Sequence, residues 1–440
     1  MSERAELPGA PAPEDRVVAH VDMDCFYAAC ERLKEPALRG EPLVVGMGYE
    51  PGETSGAVAT ASYEAREFGV ESAMPIDRAL ELLPRRVDVE DVAEGEDGDQ
   101  SATEATGFYR PVDMAFYEDT AADVKTVLHE TAETVREVSI DEAYLDLTPV
   151  GWDDVRATVD RLRERIREAV GVVASVGVAP TMSTAKIASD HDKPDGLVVV
   201  HPDEVRGFLA PIPVEDLHGV GPVTARELHG LGIETAGDVA DADPAALKRE
   251  FGERGRELYD RARGRDDRAV EPRGRPKSLS SESALAPTTD PETKRELVRS
   301  LAADVAERAR AKDALYRTIG VKVVEPPFDV NTRARSLPGP VDDPDLVEAV
   351  ALDLLTEFRE AQVRKLGVRV SNLAFTAADQ ATIDGWDGTD GGAGTASEVA
   401  ERPVPDGQAT IDGWADDAEE DSTGGYVRRG QTRLPEFEDG

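Results

Sequence analysis

The hydrophobic pattern divides the chain into short strands and amphipathic helices. Val17–Val21 is a β-branched run that ends at Asp22, and it predicts a buried strand. Val138–Leu147 alternates in a way that predicts a pair of strands in a hairpin. Trp152–Val170 is rich in charged residues at helical spacing and predicts an amphipathic helix. Strands and helices alternating in this way predict an α+β sheet domain covered by helices on one face.

The alternation typical of strands and the spacing typical of amphipathic helices also occur in the rest of the chain. Strands are predicted at Pro42–Met47, Val172–Val178, Leu197–Val200, Arg317–Val324 and Val368–Phe375. Helices are predicted at Phe26–Leu33, Tyr63–Phe68, Asp123–Thr134, Thr184–Asp190, Pro291–Lys312 and Pro344–Glu360. Residues 203–265 are helical in pattern throughout, whereas 376–440 is rich in Gly, Asp and Thr and predicts a disordered tail.

The charge balance differs from that of an ordinary nucleic-acid-binding protein. The chain has 90 acidic and 50 basic residues, a net charge of −40, whereas phosphate binding normally uses a basic surface. Only 10 of the basic residues are lysines, and acidic excess with scarce lysine resembles the cytoplasmic proteins of salt-accumulating halophiles. In molar salt the Debye length is about 3 Å, so distant charges repel weakly. Residues 276–375, with 16 acidic and 15 basic residues, are the best candidate for a surface that contacts phosphates.

The remaining composition favours a cytoplasmic protein. Cys25 and Cys30 are the only cysteines and are five residues apart, at the start of one predicted helix and within it, so we expect no disulfide framework. No apolar run of about 18 residues occurs, so we expect no membrane span. The first residues lack the apolar core of a signal peptide. We expect a monomer in a reducing cytoplasm.

Two groups of carboxylates carry the candidate chemistry. The sequence HVDMDCFYA places Asp22 at the end of a predicted strand, and SIDEAYLD places Asp141 and Glu142 side by side in a predicted hairpin. Adjacent acids in an apolar hairpin are costly unless they are solvated or neutralised. Two metal ions would neutralise them, and would clamp the attacking and leaving oxygens of a phosphoryl transfer. Asp24 and Asp146 are interpreted as structural acids.

These motifs resemble the signature stretches of Y-family translesion DNA polymerases. HVDMDCFYA, GAVATASYEAREFGV and SIDEAYLD occur in the family's order and spacing, and TAKIASDHDKPDG resembles a fourth stretch. The DNA polymerase IV branch is the most similar, here of a halophilic archaeal type. The resemblance covers residues 16–375 and implies an error-prone polymerase that lacks a proofreading exonuclease. Its partners would be primer-template DNA and dNTPs.

The resemblance also implies residue roles. Asp22, Asp141 and Glu142 match the catalytic trio, which holds two Mg²⁺ ions with help from the backbone carbonyl of Met23. Tyr27 matches the aromatic steric gate that excludes a 2′-hydroxyl group. The residues that match the triphosphate-binding positions are Thr60, Tyr63, Arg66 and Lys193. Their side chains suit phosphate oxygens, because Arg offers a fixed fork of donors and Lys a point charge.

Two further segments are interpreted as DNA contacts. The turn Gly219-Val220-Gly221 between two predicted helices resembles a helix-hairpin-helix, in which backbone amides approach a phosphate. In the alternative interpretation these glycines simply end a helix. Residues 276–375 resemble the family's little finger, where the candidate phosphate ligands are Arg364, Lys365 and Arg369. A solvated strand surface is the alternative for that segment.

The implied domain order is that of a right-hand polymerase. It comprises a ferredoxin-like palm, small fingers, a helical thumb and an α+β little finger. The predicted segments are a leader 1–15, the palm 16–25 and 88–201 with an acidic insertion loop at 90–107, the fingers 26–87, the thumb 202–266, a linker 267–276, the little finger 277–375 and the tail 376–440.

The tail repeats one pattern three times: Gln, an aliphatic residue at +3 and an aromatic residue at +6. On a helical turn the apolar pair would face one side, which suits a hydrophobic groove. The pattern resembles the peptide that tethers replication proteins to a sliding clamp, although each copy has one aromatic residue instead of two. A duplicated segment without a partner is the alternative. The copies are Gln380, Ile383 and Trp386; Gln408, Ile411 and Trp414; and Gln431, Leu434 and Phe437.

Two other functions fit part of this pattern. A nucleotidyl cyclase uses two metals on a similar sheet, but the hairpin at 219–221 and the neutral segment 276–375 are not explained by it. A catalytically inactive, clamp-tethered DNA-binding protein would not need the carboxylate trio. Template-dependent primer extension distinguishes both from a polymerase.

Overall fold

A computed structural model describes residues 15–86 and 105–375 of the chain. Within these residues the chain forms two compact units, which divide between Arg273 and Gly274. No helix in this part of the chain is long and apolar enough to cross a membrane. Three predicted segments lie wholly or largely outside the described residues: the leader 1–15, the acidic loop 90–107 and the tail 376–440.

Short strands alternate with helices along the first unit. Its strands are β1 (Val18–Met23), β2 (Leu43–Met47), β3 (Ala57–Ala61), β4 (Phe108–Pro111), β5 (Val135–Glu137), β6 (Glu142–Asp146), β7 (Ala174–Ala179) and β8 (Leu197–Val199). Its first helices are α1 (Phe26–Lys34), α2 (Tyr63–Arg66), α3 (Ile76–Leu82), α4 (Met114–Thr131), α5 (Val155–Ala169) and α6 (Met182–His191). The helix predicted to begin at Asp123 is α4, which begins at Met114 and is longer than its apolar pattern indicates.

The central sheet of the first unit has the strand order β5-β6-β1-β7-β8. On one face, Ala19 and Val21 of β1 pack against α4 and α5, in a core with Val124 and Leu162. The opposite face carries α6, so the prediction of a sheet covered on one face is wrong. Gly177 of β7 allows α6 to pack this closely on the second face, because a Cβ there would overlap backbone atoms of α6.

A smaller sheet with the order β3-β2-β4 carries α2 and α3. Strand β2 pairs antiparallel with β3 and parallel with β4. Ser62 caps α2 by accepting a hydrogen bond from the amide of Ala65, and its hydroxyl also accepts the amide of Leu43 at 3.1 Å. Both bonds fix α2 at the end of β3.

The predicted helical region is a bundle of short helices. These are α7 (Val205–Leu209), α8 (Pro222–Gly230), α9 (Ala236–Asp241), α10 (Pro244–Phe251) and α11 (Glu253–Ala262). Leu217, Leu228 and Leu258 are buried in a core that continues onto α6 through Ala188. Asp266, after the last helix, accepts the amide of Ser183 at 3.2 Å in the first turn of α6. The bundle therefore fixes the helix that covers the second face of the sheet.

The second unit is a four-stranded antiparallel sheet with two helices on one face. Its elements are β9 (Ser278–Thr288), α12 (Pro291–Ala311), β10 (Ala314–Glu325), β11 (Asp329–Val341), α13 (Pro344–Leu355) and β12 (Val363–Phe375), and the strand order is β11-β10-β12-β9. Val321 and Val368 pack against Val298 and Val350 of the two helices. Strand β11 was not predicted. The expected α+β class is confirmed in both units.

Candidate active site

Strand pairing brings the predicted carboxylates to one end of the central sheet. Strands β1 and β6 are antiparallel, and Asp22 lies opposite Glu142. The amide of Met23 donates to the carbonyl of Asp141 at 3.0 Å, which fixes the turn before β6. Within that turn the hydroxyl of Ser139 donates to Asp141 Oδ1 at 2.6 Å and accepts the amide of Glu142 at 3.0 Å. The predicted trio is therefore adjacent.

Burial makes the negative charge of this cluster unfavourable. Asp22 is 8% exposed. Burial raises the pKa of Asp141, and the neighbouring charge of Asp22 raises it further. Burial also raises the pKa of Glu142 to about 7, although the ammonium group of Lys186 opposes this shift. The cluster is therefore a place where added positive charge is stabilising.

Two lysines supply part of that positive charge. Lys193 Nζ lies 2.7 Å from Asp22 Oδ1 and 2.8 Å from Asp190 Oδ1. Lys186 Nζ lies 2.5 Å from Glu142 Oε1. Burial by itself would lower the pKa of both lysines, but the adjacent carboxylates more than offset it, so both pKa values are raised. Each lysine thus remains a buried cation.

The donor set fits a divalent cation, although the side chains do not form a ready-made cage. Among residues 15–86 and 105–375, no three His, Cys, Asp or Glu side chains are grouped closely enough to hold a metal ion. Asp22 and Glu142 instead reach towards the two lysines. Three carboxylates and the carbonyl of Met23 are hard oxygen donors of the kind that Mg²⁺ prefers. Burial and the neighbouring charge of Asp22 raise the pKa of Asp141, and such a cation would offset both effects.

Asp24 connects two of the predicted triphosphate-binding residues. Its carboxylate accepts the hydroxyl of Tyr63 at 3.0 Å, the amide of Asp195 at 2.8 Å and the hydroxyl of Ser175 at 2.9 Å. Tyr63 begins α2, and Asp195 belongs to the loop that carries Lys193. Asp24 therefore holds this loop and α2 beside β7.

Asp146 lies away from these residues. It is paired with Val18, at the opposite end of β6 from Glu142. Its Oδ1 accepts the amide of Thr148 at 2.9 Å, which stabilises the turn after the strand.

The aromatic ring of Tyr27 is held beside the carboxylates by a second tyrosine. Tyr27 and Tyr117 are stacked with ring centroids 4.7 Å apart and an interplanar angle of 18°. The hydroxyl of Tyr117 donates to Glu31 Oε1 at 2.7 Å, which fixes its ring. Burial raises the pKa of Tyr27, and the charge of Asp141 adds to the shift. The sequence did not indicate Tyr117.

The other predicted triphosphate residues lie on β3 and α2. Thr60 is half-buried on β3, near its end. Arg66 Nε donates to the carbonyl of Ala61 at 3.0 Å, and its guanidinium group lies 4.9 Å from the ring centroid of Tyr63. Arg66 and Tyr63 are thus a stacked pair that Asp24 joins to the Lys193 loop.

Two charged residues of this site were missed from the sequence. Lys186 is buried in α6, where Met182–Ser189 are all buried. A lysine inside a fully buried helix requires an anionic partner, and its position among small and apolar residues was the available signal. Asp195 is held by ion pairs to Arg163 and Arg167 of α5. No local pattern indicated those pairs.

The predicted glycine turn lies at the start of α8. Gly219 adopts φ 95°, a backbone conformation that favours glycine. Its carbonyl accepts Arg254 Nη2 at 2.7 Å, and Gly221 is the N-cap of α8. Val220 packs partly against the core behind the turn. Ala225 and Leu228 are buried behind it.

In the second unit the three candidate phosphate ligands all make internal contacts. Arg364 lies 4.1 Å from the ring centroid of Phe328. Lys365 forms an ion pair with Glu282 at 2.6 Å. Arg369 is 9% exposed and donates to Ser278 Oγ at 2.8 Å. Burial lowers the pKa of its guanidinium group.

Comparison with known proteins establishes the class. The sequence profile of the impB/mucB/samB family matches residues 21–190, that of the IMS family HHH motif matches 202–233, and that of the impB/mucB/samB family C-terminal domain matches 276–384. A solved structure of a chimera of the Y-family polymerases Dbh and Dpo4 is 29% identical, with a TM-score of 0.69, and the match covers 82% of this chain and 100% of the other. The chain belongs to the Y family of DNA polymerases, and is accordingly a DNA-directed DNA polymerase.

Within this family the chain is similar to archaeal proteins of the DNA polymerase IV branch. DNA polymerase IV of Halobacterium salinarum is 59% identical over 88% of this chain and 92% of its own length. DNA polymerase IV of Methanoculleus marisnigri is 40% identical over 84% of this chain and 98% of its own length. The resemblance to a Y-family polymerase of halophilic type is confirmed.

Proposed function

We propose that the protein is an error-tolerant translesion polymerase that adds dNMPs to a primer 3′ end, directed by a template. The observation that supports this most directly is the pairing of Asp22 with Glu142, with Asp141 in the adjoining turn. This arrangement concentrates three carboxylates at a site that also holds Lys193 and, through Asp24, Tyr63. Family membership supports the polymerase over the nucleotidyl cyclase.

The carboxylates would hold the catalytic cations. Asp22 and Asp141 are the proposed ligands of both ions, with Glu142 and the carbonyl of Met23 as further ligands. Two Mg²⁺ ions would stabilise the attacking and leaving oxygens of the phosphoryl transfer. Ser139 orients Asp141 by its hydrogen bond to Oδ1. Lys186 neutralises Glu142 from the side of α6.

The proposed triphosphate site lies between α2 and the Lys193 loop. Lys193 is close enough to Asp22 that a triphosphate bound beside this carboxylate would meet its ammonium group. Arg66 and Tyr63 would supply donors from α2, and Thr60 a hydroxyl from β3. Asp24 would keep both sides of this site at a fixed separation, because it binds Tyr63 and Asp195 simultaneously.

Primer-template DNA is the proposed macromolecular substrate. The turn at Gly219–Gly221 would bring backbone amides to a phosphate, a contact that does not depend on base sequence. Arg364, Lys365 and Arg369 of β12 would provide side chains to the DNA backbone. Each currently makes an internal contact, so DNA would have to share or replace that contact.

The predicted tail supplies a proposed tether to a sliding clamp. Its three copies of the Gln, aliphatic and aromatic pattern lie outside the described residues. Several weak copies on one chain would raise occupancy through effective concentration. Deletion of 376–440 should leave basal primer extension intact and remove stimulation by the clamp. Equal stimulation of the full-length and truncated enzymes would refute the tether.

Two matched aspartate variants test the proposed chemistry. Asp141→Asn should abolish extension of a primed template in the presence of Mg²⁺ and dNTPs. Asp146→Asn should extend primers normally, because this residue stabilises the turn after β6, at the opposite end of that strand from Asp141 and Glu142. Extension by the Asp141 variant would exclude the carboxylate trio as the catalytic site. The same assay with a mismatched primer end should detect no 3′→5′ degradation.

A further inference from the structure

Three charged side chains meet on the second unit's sheet, on the face opposite α12 and α13. Glu282 of β9 lies directly opposite Gly367 of β12, and Gly367 lies opposite Lys322 of β10. These residues form one row across three neighbouring strands. Lys365 precedes Gly367 by two positions, so it points to the same face of β12.

Glu282 bridges both lysines in this row. Lys322 Nζ lies 3.1 Å from Glu282 Oε1 and 3.3 Å from Oε2, while Lys365 Nζ lies 2.6 Å from Oε2. The Glu282 side chain is 20% exposed, against 23% for Lys322 and 40% for Lys365. Both ammonium groups are therefore within reach of a molecule that binds this face.

The absence of a side chain at Gly367 leaves space for the Glu282 side chain. A Cβ on Gly367 would lie 2.7 Å from Glu282 Cγ, which is too close for unbonded carbon atoms. Glu282 therefore lies across the β12 backbone to reach Lys322. Burial would raise the pKa of Glu282, but the two lysines more than offset it, so its pKa is lowered and the carboxylate is charged.

The Glu282 carboxylate carries one negative charge and offers oxygen acceptors to the two ammonium groups. A phosphodiester group of DNA would offer them the same charge and the same kind of acceptor. Binding of a DNA phosphate at Lys322 and Lys365 would therefore compete with Glu282 for the same donors. The segment that carries these residues is nearly neutral, with 16 acidic and 15 basic residues, so one internal anion changes its attraction for DNA appreciably.

We propose that Glu282 is an internal competitor for DNA phosphate, which holds Lys322 and Lys365 in the free protein and yields them when primer-template binds. This inference rests on the proposed function, in particular on DNA contact by this face of the sheet. Glu282 would lower the affinity for DNA and reduce its dependence on salt, because its carboxylate takes the place of solution anions at the two lysines.

Glu282→Gln tests this competition, because it keeps the side-chain size and removes the charge. Binding of full-length protein to labelled primer-template should be measured by fluorescence anisotropy over a KCl series. We expect affinity to rise about three- to tenfold at the lowest KCl concentration at which both proteins are folded, consistent with the loss of one or two partly exposed ion pairs. The slope of log K against log [KCl] should steepen by about one unit.

Glu307→Gln is the matched control. Glu307 is exposed on α12, the helix on the other face of the same sheet, so its substitution removes the same charge elsewhere in the unit. The affinity gain should be confined to the Glu282 variant. Similar affinities and salt slopes for the two variants would overturn the competition.

The lysines distinguish failure of this inference from failure of the proposed DNA contact. Lys322→Met with Lys365→Met should weaken binding, and should remove the gain of Glu282→Gln when the three substitutions are combined. If the double lysine variant weakens binding while Glu282→Gln has no effect, the face binds DNA but Glu282 does not compete. If the lysine substitutions have no effect in either background, the contact itself is refuted. Thermal unfolding of each variant would verify that it is folded.

Discussion

At the scale of single residues, Lys186 is one of the groups near the carboxylates that the sequence did not indicate. Its ammonium group contacts Glu142, and α6 buries it among small and apolar side chains. Removal of one partner of a buried ion pair leaves the other as an uncompensated charge, which typically costs 3–5 kcal/mol. In the proposed mechanism Lys186 is accordingly a positioning residue, since it would act on the reaction through Glu142.

Lys186→Met should slow nucleotide addition by about 100-fold, because Glu142 would lose the contact that orients it. Lys186→Arg should retain more of the rate, since it keeps the positive charge. Single-turnover extension across a dNTP series would separate the maximal rate, which should fall, from the apparent dNTP affinity, which should change less.

Thermal unfolding gives a readout of the Lys186 substitution that is independent of activity. Mg²⁺ should raise the Tm of the methionine variant more than that of the unaltered protein, because Glu142 would be released to bind the cation. An equal rise in the two proteins would contradict a role for Lys186 as the counter-ion of Glu142.

Tyr27 permits a prediction about sugar selection. Substitution by alanine removes the ring that stacks on Tyr117 and that we propose as the steric gate, so a 2′-hydroxyl would no longer be excluded by contact. Discrimination against ribonucleotides should fall on the order of 100-fold, with a smaller effect on dNTP use. Competing single-nucleotide incorporation would measure the ratio.

Tyr117→Phe is the control for this substitution. It removes the hydrogen bond to Glu31 and preserves the stacked ring, so sugar discrimination should persist. Unchanged discrimination in the Tyr27→Ala variant would mean that another residue forms the gate.

At the scale of elements, the placement of α6 against β7 determines the position of Lys186. Both elements are recognisable from the sequence, but their contact depends on Gly177 and on the bond from Ser183 to Asp266. Strand β7 is buried along its whole length, as expected for a strand with helices on both faces.

Gly177→Ala should displace α6 from the sheet. The added Cβ would overlap the carbonyl of Ala185 and the amide of Ser189, which are backbone atoms that cannot rotate away. We expect a loss of about 3 kcal/mol in the free energy of unfolding, as for other overpacked sites. Chemical denaturation would measure this loss.

Gly207→Ala is the matched control for this substitution. A Cβ at Gly207, in α7, meets no atom within 4 Å. This variant should be as stable as the unaltered protein or more so, because alanine favours a helix over glycine. If the Gly177→Ala variant were as stable as the unaltered protein, this result would contradict the close packing of α6 on β7.

At the scale of the whole molecule, charge predicts the response to salt. The net charge of −40 leaves unscreened repulsion across the acidic surface in dilute buffer. Tm and primer extension should both increase as KCl approaches molar concentrations. DNA affinity under those conditions would depend more on short-range hydrogen bonds and packing than on counter-ion release.

A matched salt series tests the source of this effect. The repulsion is screened equally by NaCl and KCl at the same ionic strength, so both salts should raise Tm. A Tm that fell steadily with added KCl would contradict the interpretation of the composition as halophilic.

Much of the architecture could be predicted because its signals are local. The apolar alternation at Val17–Val21 and the helical spacing at Pro291–Lys312 correspond to β1 and α12 with small errors at their ends. Strand β11 was missed, since Asp329–Val341 includes charged residues, Pro and Gly that do not form an apolar alternation. Its position at the sheet edge tolerates such residues.

The sequence by itself determined most of the elements, the carboxylate motifs and the family, because each depends on residues near one another in the chain. Only the tertiary structure decided which charges meet. Asp22, Glu142 and Lys186 come from three separate elements, and strand register together with helix packing brings them into contact. Glu282 and Lys322 likewise meet across Gly367. Periodicity specifies which face a residue occupies, whereas contact between distant residues depends on how the faces pack.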